Sequence, residues 1–112
     1  MLSRDIVYAL DILKAAQLAQ EFTVGTDKTG FENDIMLHSA VIRQLEIMGE
    51  AAKRLSDEFR TKHPDIPWRK IAGMRDIIIH AYDHVDLQLV WKITQTSVPE
   101  LIAYLEPLVP SE

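Results

Sequence analysis

Apolar residues along this chain recur in steps of three and four rather than two, and that spacing is the signature of helices packed on one face. Ile6, Leu10, Leu13 and Leu18 form a roughly helical stripe and predict a first helix from about Ser3 to Phe22. Ser3 suits the N-cap, and Asp5 places negative charge in the first turn, where the helix dipole favours it. Thr23 to Gly30 reads as a turn-rich connection. A second helix is expected from Asn33 or Asp34 to Arg60, because Val41, Leu45, Met48, Ala52, Leu55 and Phe59 follow one another at intervals of 4, 3, 4, 3 and 4. This is a heptad-like seam suited to bundle packing. Ile42 and Ile47 lie off the seam and give the helix a second apolar face, fit for a bundle interior or a dimer contact. Gly49, mid-helix, costs about 1 kcal/mol relative to alanine; close approach of another helix would account for it.

Beyond this point prolines and cap residues punctuate the chain. The run from His63 to Pro67 breaks the helix, and Pro67 suits the first turn of a short segment ending near Gly73. A further helix is expected from about Met74 to Tyr82, followed by a linker in which Asp86 caps the last helix, Leu87 to about Leu105. Pro99 should kink that helix. Val, Ile and Thr do not alternate with polar residues, so no strand is expected. The pattern predicts an all-α, up-and-down four-helix bundle with a short extra helix, forming a single domain over residues 1–112. A bundle of this length is often a dimer.

Composition narrows the function classes. The chain is 47% hydrophobic, enough for a packed interior. It has no cysteine, which excludes disulfides, zinc–thiolate sites and cysteine nucleophiles and fits a reducing compartment. The first residues meet charge at once, and no stretch approaches the ~20 apolar residues of a membrane span, so a soluble, cytoplasmic protein is expected. The net charge of -5 counts against a broad surface for coating nucleic acid but leaves room for a small basic cleft.

Candidate chemistry concentrates in the eight residues Arg75-Asp-Ile-Ile-Ile-His80-Ala-Tyr82. A guanidinium holds phosphate through two hydrogen bonds, and an imidazole moves protons near neutral pH. Together they suffice for cleaving RNA without a metal. On a straight helix Arg75 and His80 would point about 140° apart. Three arrangements remove the difficulty: the helix ends near His80, the arginine wraps around, or two copies of the motif meet across a dimer axis. Each residue also has a plainer reading. Arg75 and Asp76 could form a surface ion pair of little energetic weight, Asp76 and His80 a silent i,i+4 pair, and Tyr82 a core or interface aromatic. His80 and His84, four apart, could share a metal; no glutamate completes that pattern, and neither a metal nor another cofactor is expected. His38 and His63 have no partner in sequence and read as surface or boundary residues.

Several segments in order carry a family resemblance. They are Val41 to Leu55 (Val-Ile-Arg-Gln-Leu-Glu-Ile-Met-Gly-Glu-Ala-Ala-Lys-Arg-Leu), Pro64 to Asp76 (Pro-Asp-Ile-Pro-Trp-Arg-Lys-Ile-Ala-Gly-Met-Arg-Asp), His80-Ala-Tyr82, Val85-Asp86 and Val90-Trp91. With them the chain, from about Arg4 to Leu108, resembles the HepT-like toxins of the HEPN superfamily, whose motif is Arg, four residues, His, any residue, Tyr. Arg75, His80 and Tyr82 match it without a gap; Asp76 and Ala81 stand where members often have Asn and Gly. The resemblance implies a dimeric HEPN-like bundle with two motifs facing each other, which would answer the 140° problem. It also implies a metal-independent endoribonuclease acting on RNA such as tRNA or mRNA. A cognate minimal nucleotidyltransferase antitoxin would restrain it, by AMPylation of Tyr82 or by complex formation. Arg75 and His80 would be catalytic and Asp76 supporting, with Lys53, Arg54, Arg69 and Lys70 as candidates for a basic rim. The competing reading is a non-catalytic helical module that binds a nucleotide or a partner.

Overall fold

Ser3 opens the first helix as expected: its hydroxyl accepts the Ile6 amide proton at 3.2 Å, and helix α1 runs Arg4–Phe22. The computed structural model describes residues 3–80 and 84–110. The turn-rich segment after α1 closes into a short helix, α2 (Lys28–Asn33), capped by Asp27. Asp34 then ends α2 and caps α3 (Ile35–Arg54), accepting from the Leu37 amide at 3.0 Å. All six seam residues from Val41 to Phe59 are buried. Helix α3 packs against the buried face of α1, which Ile12 and four small alanines make flat enough for close helix approach.

The seam is continuous, yet the helix that carries it is not, which corrects the expected run to Arg60. Leu55 is extended, and Ser56 caps a separate helix, α4 (Asp57–Lys62). Two features stabilise the break. The Arg60 guanidinium donates to the Ala52 and Lys53 carbonyls, both at 3.0 Å, at the end of α3, where the Ala52 carbonyl also accepts from the Leu55 amide at 3.3 Å. Asp5, 51 positions earlier, accepts from the Ser56 amide at 2.8 Å and from its hydroxyl at 2.7 Å. These two bonds hold the Asp5 carboxyl below its ordinary value of 3.8. A lowered folded-state value means that the link stabilises the fold above the ordinary range and is lost as the pH falls through the lowered value. Asp5→Asn is therefore expected to cost about 1 kcal/mol at neutral pH, discounted for exposure. In thermal melts its difference from wild type should shrink as the pH drops below 3.8; a difference that stays constant into acid would show that the charge contributes nothing.

After α4 the chain forms two five-residue helices, α5 (Trp68–Ala72) and α6 (Met74–Ile78), then a two-residue antiparallel ladder, β1 (Ile79–His80) with β2 (His84–Val85). Helix α7 (Leu87–Gln95) follows, with Asp86 as its N-cap as expected: its carboxylate accepts from the Leu89 amide at 3.0 Å. The last expected helix also divides. It breaks at Thr96, and α8 (Ser97–Leu105) carries Pro99 in its first turn, where the missing N–H costs no hydrogen bond. A short 3-10 turn, Glu106–Leu108, closes the chain. In the resulting all-α bundle α1 and α3 form the central pair. Helix α8 covers α1, α5 and α6 cover α3, and α7 bridges α2, α6 and α8. His63 is half-buried, the boundary position expected of it, and finds partners distant in sequence: its Nδ1 lies 3.1 Å from the Tyr104 hydroxyl, and its ring packs on Phe59.

Candidate active site

Three anchors hold the segment that carries Arg75 and His80. The first is a close helix contact. A Cβ placed on Gly49 of α3 would stand 3.0 Å from the Ile71 carbonyl oxygen and 3.5 Å from that of Ala72. The glycine therefore lets the backbone of α5 rest directly on α3, which is the close approach its mid-helix position predicts. The second is Trp68, buried, whose indole Nε1 donates to the His63 carbonyl at 2.8 Å. The third is a run of buried apolar side chains, Ile71, Met74 and Ile78, of which Ile78 is fully enclosed. Arg75 and Asp76 thus sit between two buried anchors, and Asp76 is exposed.

The motif changes backbone type partway through. Helix α6 stops at Ile78, where a helix to Tyr82 is expected from the sequence, so the angle computed for a straight helix does not apply. Arg75 stands on a helix and His80 on a strand. The reason is local and tertiary at once. Ile77, Ile78 and Ile79 form a β-branched run, which loses side-chain freedom in a helix and fits an extended ladder better. The Ile78 carbonyl also accepts from the Asp86 amide at 2.9 Å, and Ile79 and His80 face Val85 and His84 in register. For Arg75 and His80 the structure describes the backbone. Tyr82, the expected modification site, lies outside the described residues.

Beside this segment two grooves run along α7. One, of about 460 Å³, lies between α3, α5, α7 and α8; Met48, Ile71, Met74, Ile93 and Leu101 give it an apolar lining, and Lys70, Lys92, Asp65 and Glu100 add charge. The other, more open, takes in Lys28, Gln88, Trp91, Lys92 and Gln95. Of the four basic residues expected to form a rim, Lys70 lines a groove, while Lys53, Arg54 and Arg69 are exposed and line neither. Lys28 and Lys92 escape sequence reasoning because 63 intervening residues separate them; only the contact of α2 with α7 brings them to one groove. Among the described residues, no group of three or more His, Asp or Glu is placed to hold a metal ion, and no helix is long and apolar enough to cross a membrane.

Comparison with known proteins adds to this geometry. The family described as "Ribonuclease HepT-like" matches residues 12–108. The "Putative RNase MJ1380" of Methanocaldococcus jannaschii is 42% identical over 102 residues, which cover 90% of this chain and 94% of that protein. The "Probable ribonuclease HepT" of Thermococcus cleftensis is 44% identical over 101 residues, covering 90% and 92%. The "Putative RNase TTE0752" of Caldanaerobacter subterraneus subsp. tengcongensis is 38% identical over 105 residues, covering 94% of each. No solved structure matches the chain significantly.

Proposed function

The chain belongs to the ribonuclease HepT-like family, and from that premise we propose that it is the toxin half of a toxin–antitoxin pair, a metal-independent endoribonuclease acting through Arg75 and His80. The observation that carries the reading is the uninterrupted motif on a segment pinned at Met74 and Ile78, inside the stretch that the family match covers. Rigid support on both sides of a catalytic group is what a reaction dependent on sub-ångström placement needs.

In the proposed reaction the 2′-hydroxyl oxygen of one ribose attacks the adjacent phosphorus, and the bond from phosphorus to the 5′-oxygen breaks. His80 takes the proton from the 2′-hydroxyl or supplies one to the departing 5′-oxygen. Arg75 binds the scissile phosphate and offsets the charge that develops on it in the transition state. Asp76, next to Arg75, orients one of these two groups. The products are a 2′,3′-cyclic phosphate and a free 5′-hydroxyl. DNA lacks the internal nucleophile and is spared. A homodimer that sets two motifs face to face would supply one imidazole for each proton transfer. The partner is a minimal nucleotidyltransferase antitoxin that attaches AMP to Tyr82, adding a negative phosphate and bulk where the substrate must lie; the pair works in the cytoplasm.

The test is direct. Purified protein free of its partner, incubated with total RNA and with tRNA in EDTA, is expected to yield fragments with cyclic-phosphate ends. No cleavage by protein shown to be unmodified by intact mass would favour the non-catalytic binding module, the reading to which the net charge of -5 lends weight. Tyr82→Phe is expected to keep cleavage and lose the AMP adduct when the nucleotidyltransferase and ATP are added. Quantitative AMP attachment to that variant would place the acceptor elsewhere.

A further inference from the structure

The two grooves along α7 share one ridge. Leu89, Lys92 and Thr96 line both, and their spacing of three and four residues puts them on a single helix face. The troughs on either side differ in character. One is deep and apolar, with Met48, Met74 and Ile93 in its lining. Its volume of about 460 Å³ falls in the range of sites that enclose small ligands. The other is more open and mixed in character, with Gln88, Gln95 and Trp91 in its lining. Trp91 packs on Phe31, their ring centroids 5.3 Å apart. Lysines line both troughs: Lys70 the first, Lys28 the second and Lys92 both. None of the three is in an ion pair within the described residues. The same linings carry Asp65 and Glu100 in the first trough and Asp86 in the second, so the lysines are set among carboxylates. The deep trough reaches Met74, the neighbour of Arg75, and the shallow one reaches Asp86, which closes the ladder holding His80.

We propose that these two troughs form the track for the single-stranded RNA flanking the scissile phosphate, with Lys92 as the central phosphate contact; the proposal rests on the ribonuclease reading. An unstacked base suits the apolar trough, where the Asp65 and Glu100 carboxylates can accept hydrogen bonds from exocyclic amino groups. The sugar–phosphate chain crosses the ridge at Lys92 and continues past Lys28. There Trp91 offers a stacking edge and the glutamine amides meet base edges in either hydrogen-bonding sense. The mixed charge of the lining separates this occupant from an apolar protein helix: Lys28, Lys70 and Lys92, without ion-pair partners among the described residues, can meet phosphates, and Asp65 and Glu100 can meet base amino groups, whereas an apolar helix would bury all five charges.

The experiment measures binding of a short single-stranded RNA to the His80→Ala protein, in which the strand stays intact, across a range of salt concentrations. Adding Lys28→Gln and Lys92→Gln is expected to weaken binding roughly tenfold and to lower the slope of log affinity against log salt by about 0.7 for each lysine removed. Lys62→Gln, on α4 and outside both grooves, serves as the matched control and should change neither. Thermal melts establish that each variant is folded. Unchanged affinity and slope in the double variant would overturn the groove while leaving the ribonuclease reading intact. A shift in the monomer–dimer balance without loss of RNA affinity would overturn it in favour of a protein interface. Wild-type protein that neither cleaves nor binds RNA would remove the reading on which the groove rests.

Discussion

Replacing His80 with alanine is expected to lower the rate of RNA cleavage by about 10²–10⁴-fold, the usual worth of a positioned general acid or base, and to abolish toxicity in growing cells. Arg75→Ala should do the same through loss of the phosphate contact and of charge stabilisation in the transition state. Neither change should unfold the protein, because the anchors of the segment are Trp68, Ile71, Met74 and Ile78, and all four remain. The assay is cleavage of a defined RNA by folded, partner-free protein, with melting temperature and oligomeric state measured beside it. A His80→Ala protein that cuts at the wild-type rate would sink the catalytic assignment. A variant that cuts slowly because it no longer folds would be recognised by its melt.

The largest structural effect is expected at Gly49. A valine there adds a branched side chain where even a Cβ would stand 3.0 Å from the Ile71 carbonyl oxygen. Neither atom can move by rotating a side chain, since one is fixed to α3 and the other belongs to the backbone of α5. Overpacking of this kind costs about 1–3 kcal/mol, and a β-branched residue recovers little of the ~1 kcal/mol that replacing a helical glycine can return. Gly49→Ala is the informative companion, because its gain in helix propensity opposes a smaller clash. Urea unfolding measures both. Cleavage by Gly49→Val, assayed where the variant is fully folded, should also fall, because α5 leads directly into α6 and Arg75. A valine variant as stable as wild type would show that α5 has slack against α3, and with it that the motif is less firmly held than the contact implies.

Much of this architecture is legible in the sequence, and the reasons differ from residue to residue. The seam from Val41 to Phe59 is readable because burial depends on periodicity alone, and periodicity survives the break at Leu55. Ser3 and Asp86 are readable as caps because a cap bond spans only three residues. The break itself is not readable, since what stabilises it is Asp5 bonding to Ser56 across 51 positions. The partnership of His63 with Tyr104, 41 apart, is hidden for the same reason. Pro99 is readable as a disturbance, because it cannot donate to the carbonyl four residues back, that of Gln95, and the helix is interrupted at Thr96; that the interruption makes two separate helices rather than one bent one is not readable. At the candidate site the residues are readable and the backbone under them is not. The run Ile77-Ile78-Ile79 signals an extended end to the helix, but the bond from Asp86 to Ile78 that fixes the stop joins positions the sequence does not link.

The switch from helix to ladder inside the motif governs which changes in length the protein can absorb. A residue inserted between Arg75 and Ile78 would turn one partner about 100° relative to the other. One inserted between Ile78 and His80 would instead flip the histidine to the opposite face of the ladder. Additions after His80 leave the Arg75–His80 pair untouched and act only on the position of Tyr82, the proposed acceptor of AMP. If Arg75 and His80 cut and Tyr82 takes the AMP, as proposed, length changes on the two sides of His80 should have different effects: those before it would alter cleavage, and those after it would alter restraint.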